Sequence, residues 1–238
     1  MLTALLPPWA QSDDAEAMRE TLADPDQREE IRKDIEEWRI DGWQNVGGKT
    51  GWDGVQVTNL SSDEYGASSG ESIATIANDR GCTPVDALCD VLLAEDLEAS
   101  MIAHGLVESD VREIMQSDRV AVGTDGLFGA RPHPRVYGSF PRVLARYVRE
   151  ENVLSLEEAI RKMTSLPARA MGLDSKGVLR PGLDADLVVS DPAIVDDRAT
   201  FDEPERYPLG IKHVVVDGTP IVSDGEDTGD RPGKAIRA

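Results

Sequence analysis

Arg119-Val120-Ala121-Val122-Gly123-Thr124-Asp125-Gly126 is a short apolar run that stops on a carboxylate. The pattern predicts a strand over 119–124 with Asp125 at its C-terminal end. In a β/α barrel that edge is where active sites are built, and an acid there ligates a metal or moves a proton. Asp-Gly is also common turn chemistry, so an Asp that merely caps a strand-to-helix turn is the competing reading.

Downstream, residues 126–149 hold Arg131, Arg135, Arg142, Arg146, Arg149 and His133 and no acid. In a chain of formal charge −20 this is a local positive patch. Prolines stiffen Arg131-Pro132-His133-Pro134-Arg135, and such a loop beside a carboxylate suits an anionic substrate group, which Arg binds in bidentate fashion. His133 and Arg135 are therefore the candidate substrate contacts. Arg146 and Arg149, on a predicted helix, are read as partners of the acidic surface.

Upstream, Asp24-Pro25-Asp26-Gln27 pairs a cap with a first-turn proline and opens a helix through Trp38. Val55-Gln56-Val57 alternates like a strand. Ile73, Ile76 and Ala77 share a helical face that ends at Gly81. Thr83-Pro84 opens a helix with Val85, Leu88, Val91 and Leu92 inward, and Ser100-Met101-Ile102-Ala103 suits a buried strand. Ser109-Asp110-Val111 begins a further helix. Short apolar runs alternating with helices imply parallel β/α units.

Beyond the positive loop, 140–149 is helical, and Ser155-Leu156-Glu157-Glu158 opens a helix with Ala159, Ile160 and Met163 inward. Past Gly172 the pattern turns to β: Leu187-Val188-Val189, then His213-Val214-Val215-Val216, with Asp217-Gly218 as the hairpin signal into Pro220-Ile221-Val222. The tail after Asp224 is rich in Gly and Asp and is expected to be loose. The fold class is α/β, with a small all-β piece following an α/β body.

Forty-five acidic against 25 basic side chains argue against nucleic acid or an anionic membrane as a partner. Acids dispersed over exposed faces also fit adaptation to high salt. No run approaches the roughly 20 apolar residues of a membrane helix. The start, Met1 to Trp9, lacks a basic lead and is broken by Pro7 and Pro8, so it does not read as a signal peptide, and a cytoplasmic protein is expected. Cys82 and Cys89 read as reduced, buried thiols.

Three histidines, His104, His133 and His213, form no His-x-His and no helical ligand pair, whereas a catalytic zinc commonly takes three protein ligands. His213 reads as structural. His104 follows a predicted strand end, where it reaches the same barrel rim or is simply satisfied in place. Gly47-Gly48-Lys49-Thr50 lacks the earlier glycine and strand of a phosphate loop, and no Gly-x-Ser-x-Gly elbow is present.

Gly123-Thr124-Asp125-Gly126, then His133-Pro134-Arg135-Val136-Tyr137-Gly138-Ser139-Phe140-Pro141-Arg142, then Leu156 through Ala168, resemble N-acyl-D-amino-acid deacylases. Gly182 through Val189, Ala199-Thr200-Phe201, Val216-Asp217-Gly218 and the opening Leu2 through Trp9 match as well. The resemblance implies the amidohydrolase superfamily: a metal-dependent β/α barrel with a small β-sandwich. Residues 1–172 are then the C-terminal part of the barrel and residues 173–238 a portion of the sandwich. It also implies hydrolysis of the amide bond of an N-acyl-D-amino acid by zinc-activated water, with Asp125 as metal ligand and proton shuttle and His133 and Arg135 near the substrate.

The family's His-x-His, its metal-binding cysteine and its later histidines have no counterpart in this sequence. Cys82 and Cys89 do not occupy the cysteine's context. Three readings follow. The chain supplies the C-terminal part of an enzyme, completed by a separate N-terminal half; it is a non-catalytic remnant, associating as a homo-oligomer through an open barrel edge; or it acts on another amidohydrolase substrate such as a cyclic ureide.

Overall fold

The computed structural model describes residues 1–128 and 132–236. The chain divides into two compact units, one over Met1–Leu106 and one over Val107–Phe128 and Pro132–Ala238.

The first unit is mainly helical, and its helix starts follow from local chemistry. Asp24 accepts hydrogen bonds from the N–H groups of Asp26 (2.8 Å) and Gln27 (3.3 Å), and Pro25 takes the first helical position. Helix α1 (Ala15–Ala23) is therefore followed at once by α2 (Pro25–Glu36). A short helix, α3 (Val46–Thr50), occupies the Gly-Gly-Lys-Thr stretch. Ser72 and Thr83 cap α4 (Ile73–Arg80) and α5 (Pro84–Ala94) by the same side-chain logic. Between α4 and α5 the chain reverses at Gly81, whose φ of +67° is open to a residue without Cβ.

Strand β1 (Val55–Thr58) pairs with β2 (Ser100–Ala103), from Val55↔Ala103 to Thr58↔Ser100. The pairing is antiparallel, and no parallel strand pair exists among the described residues. The expectation of parallel β/α units is corrected to that extent. Strand β2 is also half-exposed rather than buried. The core of this unit joins Leu2, Leu5 and Leu6 to Leu22, Ile31 and Ile35, and to Val55, Val57, Leu88 and Leu92. Of its buried carboxylates, Glu95 is satisfied by the N–H and hydroxyl groups of Ser61 and Ser62, and Asp34 accepts from Trp9 Nε1.

The second unit begins with α6 (Glu108–Gln116). Helix α7 (Arg135–Arg142) contains Pro141, which has no N–H to give, and the chain beyond it continues in π-helical geometry over Val143–Glu150. Ser155 Oγ accepts from the Glu158 N–H (3.1 Å) to start α8 (Leu156–Met163), followed by α9 (Ser165–Ala170). Its inward face differs from the expectation. Ala159 is buried, but Ile160 is 43% exposed and Lys162 is fully buried in its place. The Lys162 ammonium donates to the carbonyls of Ser117 and Val120, and its own carbonyl accepts from the Val122 N–H (3.0 Å).

That arrangement replaces the strand predicted over 119–124. These residues have no strand partner and are fastened to α8 through Lys162. The unit closes with an antiparallel sheet in the order β3 (Leu187–Ser190), β4 (Ile211–Val216), β5 (Thr219–Ser223), β6 (Glu226–Asp227). Asp217 and Gly218, at φ +49° and +77°, make the predicted two-residue hairpin turn. Asp224 and Gly225 repeat it into β6, so Glu226 and Asp227, at the start of the tail expected to be loose, pair with β5. Among the described residues no helix is long and apolar enough to cross a membrane.

Candidate active site

Asp125 stands three residues beyond the segment that Lys162 secures. Its φ is +45°, a left-handed conformation that Asp tolerates better than most side chains. The side chain is 87% exposed, and Oδ2 lies 2.8 Å from Arg135 Nη2. Arg135 is the first residue of α7, and its backbone N–H donates to His133 Nδ1 (3.0 Å). The three residues named from sequence therefore meet: Asp125 on Arg135 by an ion pair, and His133 on Arg135 through the main chain. The Arg135 Nε is buried and has no hydrogen-bond partner.

His133 and Arg135 open onto a cleft of about 140 Å³. Its far wall is a segment that sequence reasoning did not single out for chemistry, Asp197 and Ala199 to Phe201. The Phe201 ring meets His133 edge-on at 5.1 Å. Arg142 Nε donates to Asp197 Oδ2 at 2.7 Å. The only prior signal for this wall was the resemblance at Ala199-Thr200-Phe201. Asp197 had none, because its partner Arg142 lies 55 residues away in the chain.

The positive patch is largely neutralised. Arg135 faces Asp125, Arg142 faces Asp197, and Arg146 pairs with Glu151 (2.8 Å) and Glu108 (3.6 Å). Arg149 donates to the carbonyls of Val195 and Pro192 and lies 3.4 Å from Glu150. The reading of Arg146 and Arg149 as partners of surface acids fits these pairs. Arg131 lies outside the described residues. Outside the cleft lining, Arg112 and Arg146 hold the Glu151 carboxyl down at about 2. Burial, and then the hydrogen bond to Glu108, push the Tyr147 hydroxyl up to about 12.

The other candidates sit elsewhere. His104, in the first unit, has Nε2 3.4 Å from Gln56 Oε1. His213, on β4, accepts from the Asp224 N–H (3.3 Å), a structural role. Cys89 is buried, and that burial raises its thiol to about 12. Among the described residues no group of three or more His, Cys, Asp or Glu side chains converges to hold a metal ion. Asp125 is a chemically suitable oxygen donor for zinc, but one carboxylate does not make a site that needs about three protein ligands.

Comparison with known proteins places this geometry in a class. Residues 31–222 match the model of the amidohydrolase family, and the chain belongs to that family. Among its relatives is the N-acyl-D-glutamate deacylase of Alcaligenes xylosoxydans xylosoxydans, 45% identical over 172 residues, which are 71% of this chain and 33% of that protein. The N-acyl-D-aspartate deacylase of the same organism is 49% identical over 149 residues, 62% of this chain and 30% of the relative. A solved structure of N-acyl-D-glutamate deacylase from Bordetella bronchiseptica, complexed with zinc and a phosphonate inhibitor that mimics the tetrahedral intermediate, superimposes with a TM-score of 0.69. It is 41% identical, and the match covers 81% of this chain and 39% of that one. The chain thus spans about a third of the length of the curated relatives it matches.

Proposed function

We propose that this chain contributes the Asp125–His133–Arg135 corner of a zinc-dependent hydrolase that cleaves the amide bond of N-acyl-D-amino acids. The observation that carries the reading is the meeting of these three residues beside a cleft, at the positions where the chain resembles the deacylases. In this reading residues 1–172 belong to the family's β/α barrel and residues 173–238 to its small β-sandwich. The strand partners and the remaining metal donors come from polypeptide other than these 238 residues.

The chemistry assigned to this chain is limited to what its own groups do. Asp125 Oδ2 is held by Arg135, which leaves Oδ1 to accept a proton from an attacking water and return it to the leaving nitrogen. The Arg135 guanidinium and His133 ring hold the substrate carboxylate by charge-assisted hydrogen bonds. The residues present do not form a zinc site by themselves, so no step is written through the metal.

The test is to assay the 238-residue chain with zinc on N-acetyl-D-glutamate and N-acetyl-D-aspartate, alone and mixed with the unmatched remainder of the Bordetella bronchiseptica enzyme. The expected result is no appreciable turnover alone and turnover in the mixture that Asp125→Asn abolishes. Robust turnover by the chain alone would overturn the assignment of the metal donors to other polypeptide. Absence of both turnover and substrate binding in the mixture would overturn the deacylase reading.

A further inference from the structure

Arg135, Gly138, Ser139 and Arg142 fall at spacings of zero, three, four and seven, so they share one face of α7. All four line the cleft, and Asp197 lies along the same face. Asp197 Oδ2 accepts from Arg142 Nε at 2.7 Å, and its side chain is only 7% exposed. Next to it, Gly138 gives room that no other residue gives, because a Cβ there would stand 2.2 Å from Asp197 Oδ1. The same Oδ1 accepts from the Ala199 N–H at 2.9 Å, which ties the carboxylate to its own loop.

That loop is closed by Thr200, whose Oγ1 accepts from the Glu203 N–H (2.9 Å) and whose N–H donates to the Glu203 carbonyl (3.1 Å). The closed turn presents Phe201 to the edge of His133. His133 in turn receives the Arg135 N–H on Nδ1. One buried carboxylate therefore grips α7 at Gly138 and Arg142 and, through two more residues of chain, fixes the ring that abuts His133.

We infer that Asp197 is the positioning residue of this cleft, setting the placement of His133 and Arg135 by clamping the Asp197–Phe201 wall onto the Arg135 face of α7. A charge so buried persists only where it is paired and hydrogen-bonded, and both of its oxygens are used here. The inference about geometry stands on its own. Its consequence for substrate rests on the functional reading above.

The experiment uses the isotopically labelled 238-residue chain and reads two quantities by NMR: the His133 ring resonances, shifted by the Phe201 ring current, and the response of Arg135 to N-acetyl-D-glutamate. Asp197→Ala is expected to move the His133 ring signals toward those of a Phe201→Leu variant while the β4–β5 hairpin signals stay in place. Arg142→Met should move them the same way. Gly138→Ala should also do so, and combining it with Asp197→Ala should relieve the clash without restoring His133. Binding of N-acetyl-D-glutamate should weaken about tenfold or more, the scale of one charged hydrogen bond.

Should the alanine variant unfold, Asp197→Asn keeps the shape and the Ala199 bond but sets an amide NH2 against Arg142, losing both the charge and the acceptor there. Unmoved His133 signals in a folded Asp197 variant would overturn the inference. A native chain that ignores N-acetyl-D-glutamate, with His133 still displaced by Asp197→Ala, would leave the positioning role standing and remove the deacylase reading instead.

Discussion

The two units are built on different terms. Among the described residues the first assembles twenty-two buried residues into one apolar cluster, whereas the comparable cluster of the second has six. Residues 1–106 carry 22 acidic and 7 basic side chains, a net charge of −15; residues 107–238 carry 23 and 18, a net of −5. The first unit is thus held by burial against its own charge repulsion. Ion pairs brace both units, but in the second they accompany a far smaller apolar cluster, as where Arg112 and Arg146 hold Glu151, and the buried Lys162 is satisfied by two carbonyls. Every residue of the candidate site belongs to the second. Side chains kept in place by ion pairs keep polar groups at hand for a ligand, which an apolar core does not.

Core truncation should separate the units most. Leu88 is fully buried, and Leu88→Ala is expected to cost about 2–5 kcal/mol of first-unit stability. Val188, in β3, is 62% exposed, and Val188→Ala should change stability by less than about 0.5 kcal/mol. Denaturant melts resolved by unit decide this, and equal losses would break the contrast. Next comes Lys162→Met, which leaves the Ser117 and Val120 carbonyls without their donor at a cost of about 1–3 kcal/mol. Hydrogen exchange at the Val122 amide should accelerate in that variant, and unchanged exchange would show that α8 does not hold the segment before Asp125.

Acid should act on the second unit through Glu151. Arg112 and then Arg146 lower its carboxyl from 4.5 to about 2, so the folded state takes up the proton less readily than the unfolded one. The stabilisation is present above pH 4.5 and drains away as pH falls toward 2. Glu151→Gln should flatten that limb of the pH–stability curve, and an unchanged limb would show that the clamp does not stabilise the unit. Salt gives the smallest effect and the opposite order. Screening relieves repulsion chiefly in the unit of charge −15, so raising salt from 0.1 to about 1 M, which shortens the screening length from about 10 to 3 Å, should stabilise residues 1–106 more than residues 107–238. Equal or inverted shifts in thermal unfolding would remove the charge argument.

What was legible in the sequence is what local chemistry dictates. Asp24, Thr83 and Ser155 announce helix starts because a cap bonds within its own turn. Asp217-Gly218 announces a hairpin because the turn needs positive φ twice. Asp125, His133 and Arg135 stood out by type and context, and they do come together. The strand over 119–124 failed because an apolar run becomes a strand only beside another strand. Here its polar groups are met by a lysine more than 40 residues on, and no short-range pattern carries that information. Asp197 escaped notice for the same reason, with its partners on a helix that precedes it by 55 residues.

The left-handed backbone at Asp125 has a consequence for mutational scanning. At φ +45° a β-branched residue is strained whatever its charge, while Gly and Asn are comfortable. A saturation library at this position would therefore sort twice: abundance of folded protein would favour Gly, Asn and Asp together, and chemistry would then select Asp from among them. Alanine confounds the two filters, and asparagine isolates the carboxylate.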